Sequence, residues 1–201
     1  MGFYIDSSAC IGCKTCEIAC KDKKNLPVGV RIRRVREFGG GEWIEKDGFY
    51  MPDNVFTYFV SASCMHCEKP ACLEVCPVEA IYKGKDTGLV LINKDLCIGC
   101  GSCLDACPYD APSINEDEEK AYKCDMCIDR LQDGQNPVCV DGCLQRCIKV
   151  GELDSLRKQY GKLDSVEPLA SGKQTKPSVV FTKAETPKKK PNPRIRNVTE
   201  L

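Results

Sequence analysis

The chain is 201 residues long, with 29 basic and 29 acidic residues and a formal net charge of zero, so it has no overall field of the kind that draws a whole protein onto nucleic acid. Its 17 cysteines exceed what globular chains carry outside disulfide scaffolds and metal proteins, and an odd number set in repeated C-x-x-C pairs favours metal over a disulfide framework. The start "MGFYIDSSAC" has acid and polar residues where a secretory signal needs an apolar stretch, Asp6 breaks the myristoylation pattern, and no apolar run approaches the ~18 residues of a membrane helix.

In chain order, the first cysteine group is "CIGCKTCEIAC" (Cys10, Cys13, Cys16, Cys20). Next comes "VRIRRVREF" (Val30–Phe38), basic and rich in β-branched residues. It predicts a strand joined through Gly39–Gly41 to "EWIEKDGF", either a docking surface for an acidic partner or an edge strand guarded by charge. The second group is "CMHCEKPACLEVCP" (Cys64, Cys67, Cys72, Cys76), which contains the single histidine, His66. A Rieske-type centre needs two histidines, so His66 is read as a hydrogen-bonding or packing residue beside a metal site rather than a ligand. "AIYKGKDTGLVLIN" predicts a β-hairpin with strands near Ala80–Lys83 and Leu89–Ile92. The third group is "CIGCGSCLDACP" (Cys97, Cys100, Cys103, Cys107) and the fourth "CDMCIDRLQDGQNPVCVDGC" (Cys124, Cys127, Cys139, Cys143), with Cys147 trailing. The closing "KAETPKKKPNPRIRNVTEL" is Lys- and Pro-rich and nearly free of apolar residues, so it is expected to be disordered or laid across a partner. Nucleic acid is not favoured there, since no aromatic platform accompanies the charges. There is no G-x-G-x-x-G fingerprint, P-loop or nucleophile–base set.

The groups form an internal repeat. Groups one and three superimpose at an offset of 87 residues, Cys10 onto Cys97 with every cysteine matched. Groups two and four superimpose at 67, Cys72 onto Cys139, while their leading C-x-x-C pairs lie 60 apart, so group four carries extra residues within "IDRLQDGQN". The spacing C-x2-C-x2-C-x3-C is the bacterial ferredoxin run, in which three cysteines wrap one iron–sulfur cluster and the fourth reaches a second. Gly12 and Gly99 let the loop backbone close on an inorganic core. Pro108 completes the run in group three, and Lys21 stands at that place in group one.

Groups two and three, adjacent and joined by a hairpin, have the layout of a two-cluster ferredoxin. Cys64, Cys67, Cys72 and Cys107 are expected to hold one cluster, and Cys97, Cys100, Cys103 and Cys76 another. Groups one and four then pair across the fold: Cys10, Cys13 and Cys16 with a late group-four cysteine, and Cys124, Cys127 and Cys139 with Cys20. At the offset of 67, Cys143 falls on Cys76 and Cys147 on Ala80, so Cys143 is the expected ligand and Cys147 a non-ligand at a small-residue position, with a reserve thiol as the sharper alternative. Leu144, where group two has Pro77, leaves this choice open. Zinc knuckles remain the alternative for group four taken alone. The C-x3-C-x2-C spacing of radical enzymes is absent. Lys14, Lys21 and Lys123 are candidate cations for tuning cluster potentials or, equally, ordinary solvated lysines. Folding is expected to require cluster insertion.

"FYIDSSACIGCKTCEIACKD", "SCMHCEKPACLEVCPVEAI", "DLCIGCGSCLDACPYDAP" and "KCDMCIDRLQDGQNPVCVDGC" together resemble the four-cluster iron–sulfur (B) subunits of the dimethyl sulfoxide reductase family of molybdenum oxidoreductases. The resemblance runs on into "GELDSLRKQYG". It implies an α+β fold of two bacterial-ferredoxin-like two-cluster units related by a pseudo-twofold, with a β-hairpin insertion and an extended C-terminal tail. The units are expected at 1–27 plus 116–150 and at 55–115, with the insertion at 28–54 and a partner-docking extension at 151–201. Some relatives carry Trp at the place of Cys103 and hold a three-iron cluster, so cysteine there implies four 4Fe–4S clusters. The implied role is non-catalytic: electron relay between a membrane quinol-side subunit and a catalytic subunit bearing molybdopterin guanine dinucleotide, with no span of its own. Relatives of this kind sit on the cytoplasmic face or are exported with a signal-bearing partner. The alternative is a free-standing polyferredoxin, and truncation after Pro177 is expected to weaken a stable complex but not a shuttle.

Overall fold

The computed structural model describes residues 1–200. It is a mixed α/β fold of small sheets and short helices. In chain order it runs β1 (Gly2–Asp6), α1 (Thr15–Lys23), β2 (Arg34–Lys46), β3 (Phe49–Ala62), α2 (Ala71–Glu74), β4 (Ile81–Lys83), β5 (Val90–Ile92) and α3 (Ser102–Asp105). It continues with β6 (Ser113–Asn115), β7 (Lys120–Tyr122), α4 (Ile128–Gln132), α5 (Val138–Asp141), β8 (Ile148–Gly151), α6 (Leu153–Tyr160), β9 (Val179–Thr182) and β10 (Arg194–Ile195). The hairpin expected between groups two and three forms as β4–β5, with Ile81 opposite Ile92. A second one, β6–β7, follows group three and turns at residues 116–119.

The arm β2–β3 is long because its strands are rich in β-branched and aromatic residues and meet at Asp47-Gly48. Both of these have positive φ, 54° and 81°, as a two-residue turn matched to strand twist requires. The structure corrects several expectations here. The strand starts at Arg34, not Val30. It runs through Gly39–Gly41 instead of ending there, and the hairpin extends to Ala62. It is also no edge strand: β2 lies between β3 and β10, and Arg33 and Arg36 are buried, so "VRIRRVREF" is not an exposed basic surface. The glycines have a packing reason. A Cβ on Gly40 would stand 2.5 Å from the Pro191 carbonyl, and one on Gly41 2.4 Å from the Val55 Cα. Gly41 lies at a bulge between Gly40 and Glu42 with φ of 113°, and its N–H donates to the Pro191 carbonyl at 2.8 Å.

That contact belongs to the tail, which is folded back on the protein and so differs from the disordered or partner-bound segment expected. β10 pairs antiparallel with β2, Arg194 opposite Gly39. Asn197 is buried: its side-chain oxygen accepts from the Glu37 N–H at 2.9 Å and its amide donates to the Val35 carbonyl at 2.8 Å. Backbone pairing and one amide dock the segment where apolar residues are scarce.

The N-terminal strand is central in its own sheet, ordered β8-β1-β9, antiparallel to β8 and parallel to β9. Val179, Val180 and Phe181 of β9 are at most 2% exposed, and α6 covers this sheet with Tyr160 stacked on Tyr4 at 3.8 Å. Burying such side chains is worth about 1.5–3 kcal/mol each. Truncation after Pro177 is therefore expected to unfold this sheet and lower the thermal midpoint, whereas truncation after Pro187 spares it. A Pro177 truncation with unchanged thermal stability would contradict the burial of β9, and only the shorter deletion tests partner binding.

Candidate cluster sites

The repeat in the sequence is written into the backbone. At the offset of 87, Gly12 and Gly99 both have positive φ, 71° and 67°, and so do Lys14 and Gly101. At the offset of 60, His66 and Met126 share the left-handed region. A Cβ on Gly12 would meet the Phe59 ring at 2.5 Å, and one on Gly99 the Glu119 carbonyl oxygen at 2.4 Å. Glycine is thus needed twice over, for φ and for close approach. These turns curl each C-x-x-C loop so that its thiols face one side.

One turn occurs three times. The N–H of Glu79 donates to the Cys76 carbonyl at 3.3 Å, that of Asp110 to Cys107 at 3.2 Å, and that of Arg146 to Cys143 at 3.1 Å. Glu79, Asp110 and Arg146 all have φ near 51°. The next residue is small and buried each time: Ala80, Ala111 and Cys147.

The expected sets of cysteines come together. Cys64, Cys67, Cys72 and Cys107 line one cavity with Met65 and Pro108. Cys76, Cys97, Cys100 and Cys103 line a second with Val78 and Ile92. Cys10, Cys13, Cys16 and Cys143 line a third, together with Cys147. Cys20, Cys124, Cys127 and Cys139 are buried in mutual electrostatic range. The helices agree with these groupings, since α1 packs on α5 and α2 on α3. No three His, Cys, Asp or Glu side chains among the described residues converge as a single ion requires; the thiols surround volumes rather than points.

Burial dominates the thiols' acidity, pushing Cys20 and Cys72 up to about 12 and Cys67 and Cys103 to about 11. A donor set that resists ionisation in isolation suits a group whose iron supplies the positive charge. N–H groups already point at several sulfurs: Ala121 at Cys97 (3.4 Å), Met126 at Cys124 (3.3 Å) and Ala111 at Cys107 (3.5 Å). Sulfurs, loops and N–H groups together fit iron–sulfur clusters.

Cys147 stands among the thiols of the third cavity. Its sulfur is 3.4 Å from that of Cys143. It interacts with the Cys10 thiol, which holds the Cys10 pKa below the ordinary thiol value and pushes its own up.

The three candidate cations separate. Lys123 is buried, with Nζ 3.6 Å from Cys64 Sγ and donating to the carbonyls of Val90 and of Cys124, the latter at 3.1 Å. It bridges the Cys64 set to the Cys124 set. Lys21 instead donates to the carbonyls of Pro27 and Val30, away from the sulfurs. Lys14 stands at the N-cap position of α1 with φ of 59°, its side chain making no cap hydrogen bond there, and lines the third cavity. His66 is fully buried and accepts the Val90 N–H at Nδ1 over 3.1 Å. Burial and the Lys123 charge push its pKa well down, so it is neutral, and with Lys123 it clamps the Val90 peptide. Arg33 was not singled out by the sequence. Its sequence neighbours, Ile32 and Arg34 within a basic run, give no signal of burial.

Comparison with known proteins decides the family. A 4Fe-4S dicluster domain matches residues 55–153 and a 4Fe-4S binding domain residues 7–24. The B chain of the anaerobic dimethyl sulfoxide reductase of Escherichia coli K12 is 49% identical over 180 residues, covering 90% of this protein and 87% of that one. The protein belongs to the family of dimethyl sulfoxide reductase B chains. Other members of this wider group of iron–sulfur subunits are similar too. The E. coli protein YnfG, a probable anaerobic dimethyl sulfoxide reductase component, is 47% identical over 90% of this protein and 87% of its own length. The B subunit of the tetrathionate reductase of Salmonella typhimurium is 31% identical over 88% and 70%. Like other B chains, this is an iron–sulfur electron-transfer subunit. No helix among the described residues is long and apolar enough to cross a membrane.

Proposed function

We propose that the chain relays electrons through four 4Fe–4S clusters between a quinol-side membrane subunit and a molybdopterin-bearing catalytic subunit, making and breaking no substrate bond itself. The gathering of sixteen cysteines into four sets carries this reading. Clusters held there would each accept and pass on single electrons. The ligand sets are Cys10, Cys13, Cys16 and Cys143; Cys20, Cys124, Cys127 and Cys139; Cys64, Cys67, Cys72 and Cys107; and Cys76, Cys97, Cys100 and Cys103. The shared turn after Cys76, Cys107 and Cys143 supports Cys143, with Cys147 at an alanine position. Paired helices and matched left-handed residues support two units related by a pseudo-twofold, 1–27 with 116–150 and 55–115.

The chain's own residues support one path. Cys16 and Cys20 on α1 face different sets, so one helix ties two sites together, and Lys123 ties the Cys124 set to the Cys64 set. The order is then the Cys10 set, the Cys20 set, the Cys64 set and the Cys76 set. Cys20, Cys124, Cys127 and Cys139 are all buried, which excludes water from that site and keeps reorganisation there small, whereas Cys13 and Cys100, in the first and last sets of the proposed path, are exposed. Anaerobic purification tests the reading: four 4Fe–4S signals by EPR, with matching iron and acid-labile sulfide, are expected. A colourless protein containing zinc would end it.

Partnered rather than free-standing action is favoured by the tip of the β2–β3 arm. Trp43, Ile44, Phe49, Tyr50 and Met51 are all at least 45% exposed there, an apolar patch of the kind that marks a protein interface. Joint replacement of Trp43, Phe49 and Tyr50 by Ser is expected to release the chain from a co-purified complex with its cluster signals intact. Unchanged retention would favour a soluble shuttle or another docking face.

A further inference from the structure

We infer that Arg33 is a counter-cation shared by two neighbouring clusters, the one held by Cys10, Cys13 and Cys16 and the one held by Cys20, Cys124, Cys127 and Cys139, and that it raises the reduction potential of both. This rests on the ligand sets proposed above.

Arg33 lies one residue before β2 and is 1% exposed. Its Nη1 donates to Ser61 Oγ at 3.0 Å, and that hydroxyl is 3.3 Å from Cys16 Sγ. Cys139, Cys124 and Cys20 also lie within its electrostatic range. The guanidinium carbon stands 5.0 Å from the centroid of the Phe3 ring. Its Nη2 has no hydrogen-bond partner, and none of the ion pairs among the described residues supplies it a carboxylate. A guanidinium does not shed its proton, and an unpaired one in a protein interior is strongly destabilising. Negative charge must therefore stand beside it, and the groups in range are sulfurs of two different ligand sets.

The consequence for electron transfer is direct. Each reduction adds one negative charge to a cluster, and a fixed cation in a low-dielectric interior favours the added electron. One cation reaching both sites also weakens the repulsion between two neighbouring reduced clusters. Lys123 differs in place and partners: it approaches Cys64 Sγ of another set at 3.6 Å and also donates to two backbone carbonyls.

The test is a redox titration followed by EPR on the full chain, purified anaerobically with whatever subunits accompany it. The wild type is measured first, so that absence of four clusters there is recognised as failure of the functional reading itself. Arg33→Gln keeps a donor for Ser61 but removes the charge. It is expected to reduce the reduced-to-oxidised ratio of the two named clusters at least tenfold at a fixed potential, about 59 mV each for one electron. The cluster of Cys76, Cys97, Cys100 and Cys103 is expected not to move. Four intact clusters with unmoved potentials, or an equal shift in all four, would overturn the inference. Should Arg33→Gln not assemble, Arg33→Lys decides. Assembly with both reduced-to-oxidised ratios within tenfold of wild type supports a role for charge, whereas failure to assemble, or a loss of tenfold or more in both ratios, assigns Arg33 a purely steric role.

Discussion

Cys143→Ala is expected to remove one cluster or convert it to a three-iron form, while Cys147→Ala leaves all four. The two thiols are 3.4 Å apart, so proximity does not separate them; the backbone does. Cys143 begins the same turn that follows Cys76 and Cys107, with the same left-handed residue three positions on and the same buried small residue after it. A residue's role follows from where its Cα sits in that turn, and Cys147 sits where Ala80 and Ala111 sit. EPR and iron content of the two variants check the assignment. A loss of iron in Cys147→Ala with Cys143→Ala intact would invert it. Full loading of both single variants, with loss only in the double variant, would make Cys147 a replacement ligand already within reach of the site.

The second large effect is expected on cluster removal: the chain should lose its tertiary structure altogether. Four of the helices flanking the sites, α2, α3, α4 and α5, are only four or five residues long, below what sustains a helix without tertiary support. The sheets of β4–β5 and β6–β7 have two strands each, which is marginal in water. Cysteines make up much of the interior, so removing clusters opens cavities between segments that have little else to pack against. Metal binding and folding are then one equilibrium. Anaerobic iron chelation followed by circular dichroism and limited proteolysis measures this. An iron-free chain that keeps native protease resistance would show that the β1–β8–β9 and β2–β3 sheets suffice alone.

The cysteine sets were legible because ligand spacing is local and the duplication supplied internal controls. The β4–β5 hairpin was legible for the same reason: Ile81 and Ile92 are close in sequence and flanked by turn residues. What the sequence hid depends on distant partners. "VRIRRVREF" reads as exposed because four arginines in nine residues are normally solvated, but Arg33 answers to sulfurs contributed from residues 16 to 139. The glycine triplet reads as a break until Pro191 is seen lying across it. The tail reads as disordered because composition counts apolar residues, while this segment is held by a backbone ladder and Asn197.

The position of β1 bears on how the protein is made. Residues 2–6 are completed as a sheet only by β8 (Ile148–Gly151) and β9 (Val179–Thr182), which are synthesised long after them. The Cys10 and Cys20 sets likewise wait for Cys124–Cys143, whereas Cys64–Cys107 form a contiguous stretch. Closing a short loop costs less entropy than closing a long one. The clusters proposed for the Cys64 and Cys76 sets can be loaded once residue 107 has been made, and those proposed for the Cys10 and Cys20 sets only after residue 143 has followed. A nascent chain stalled before residue 124 would therefore bind iron at Cys64–Cys107 and hold its first four cysteines, Cys10, Cys13, Cys16 and Cys20, open.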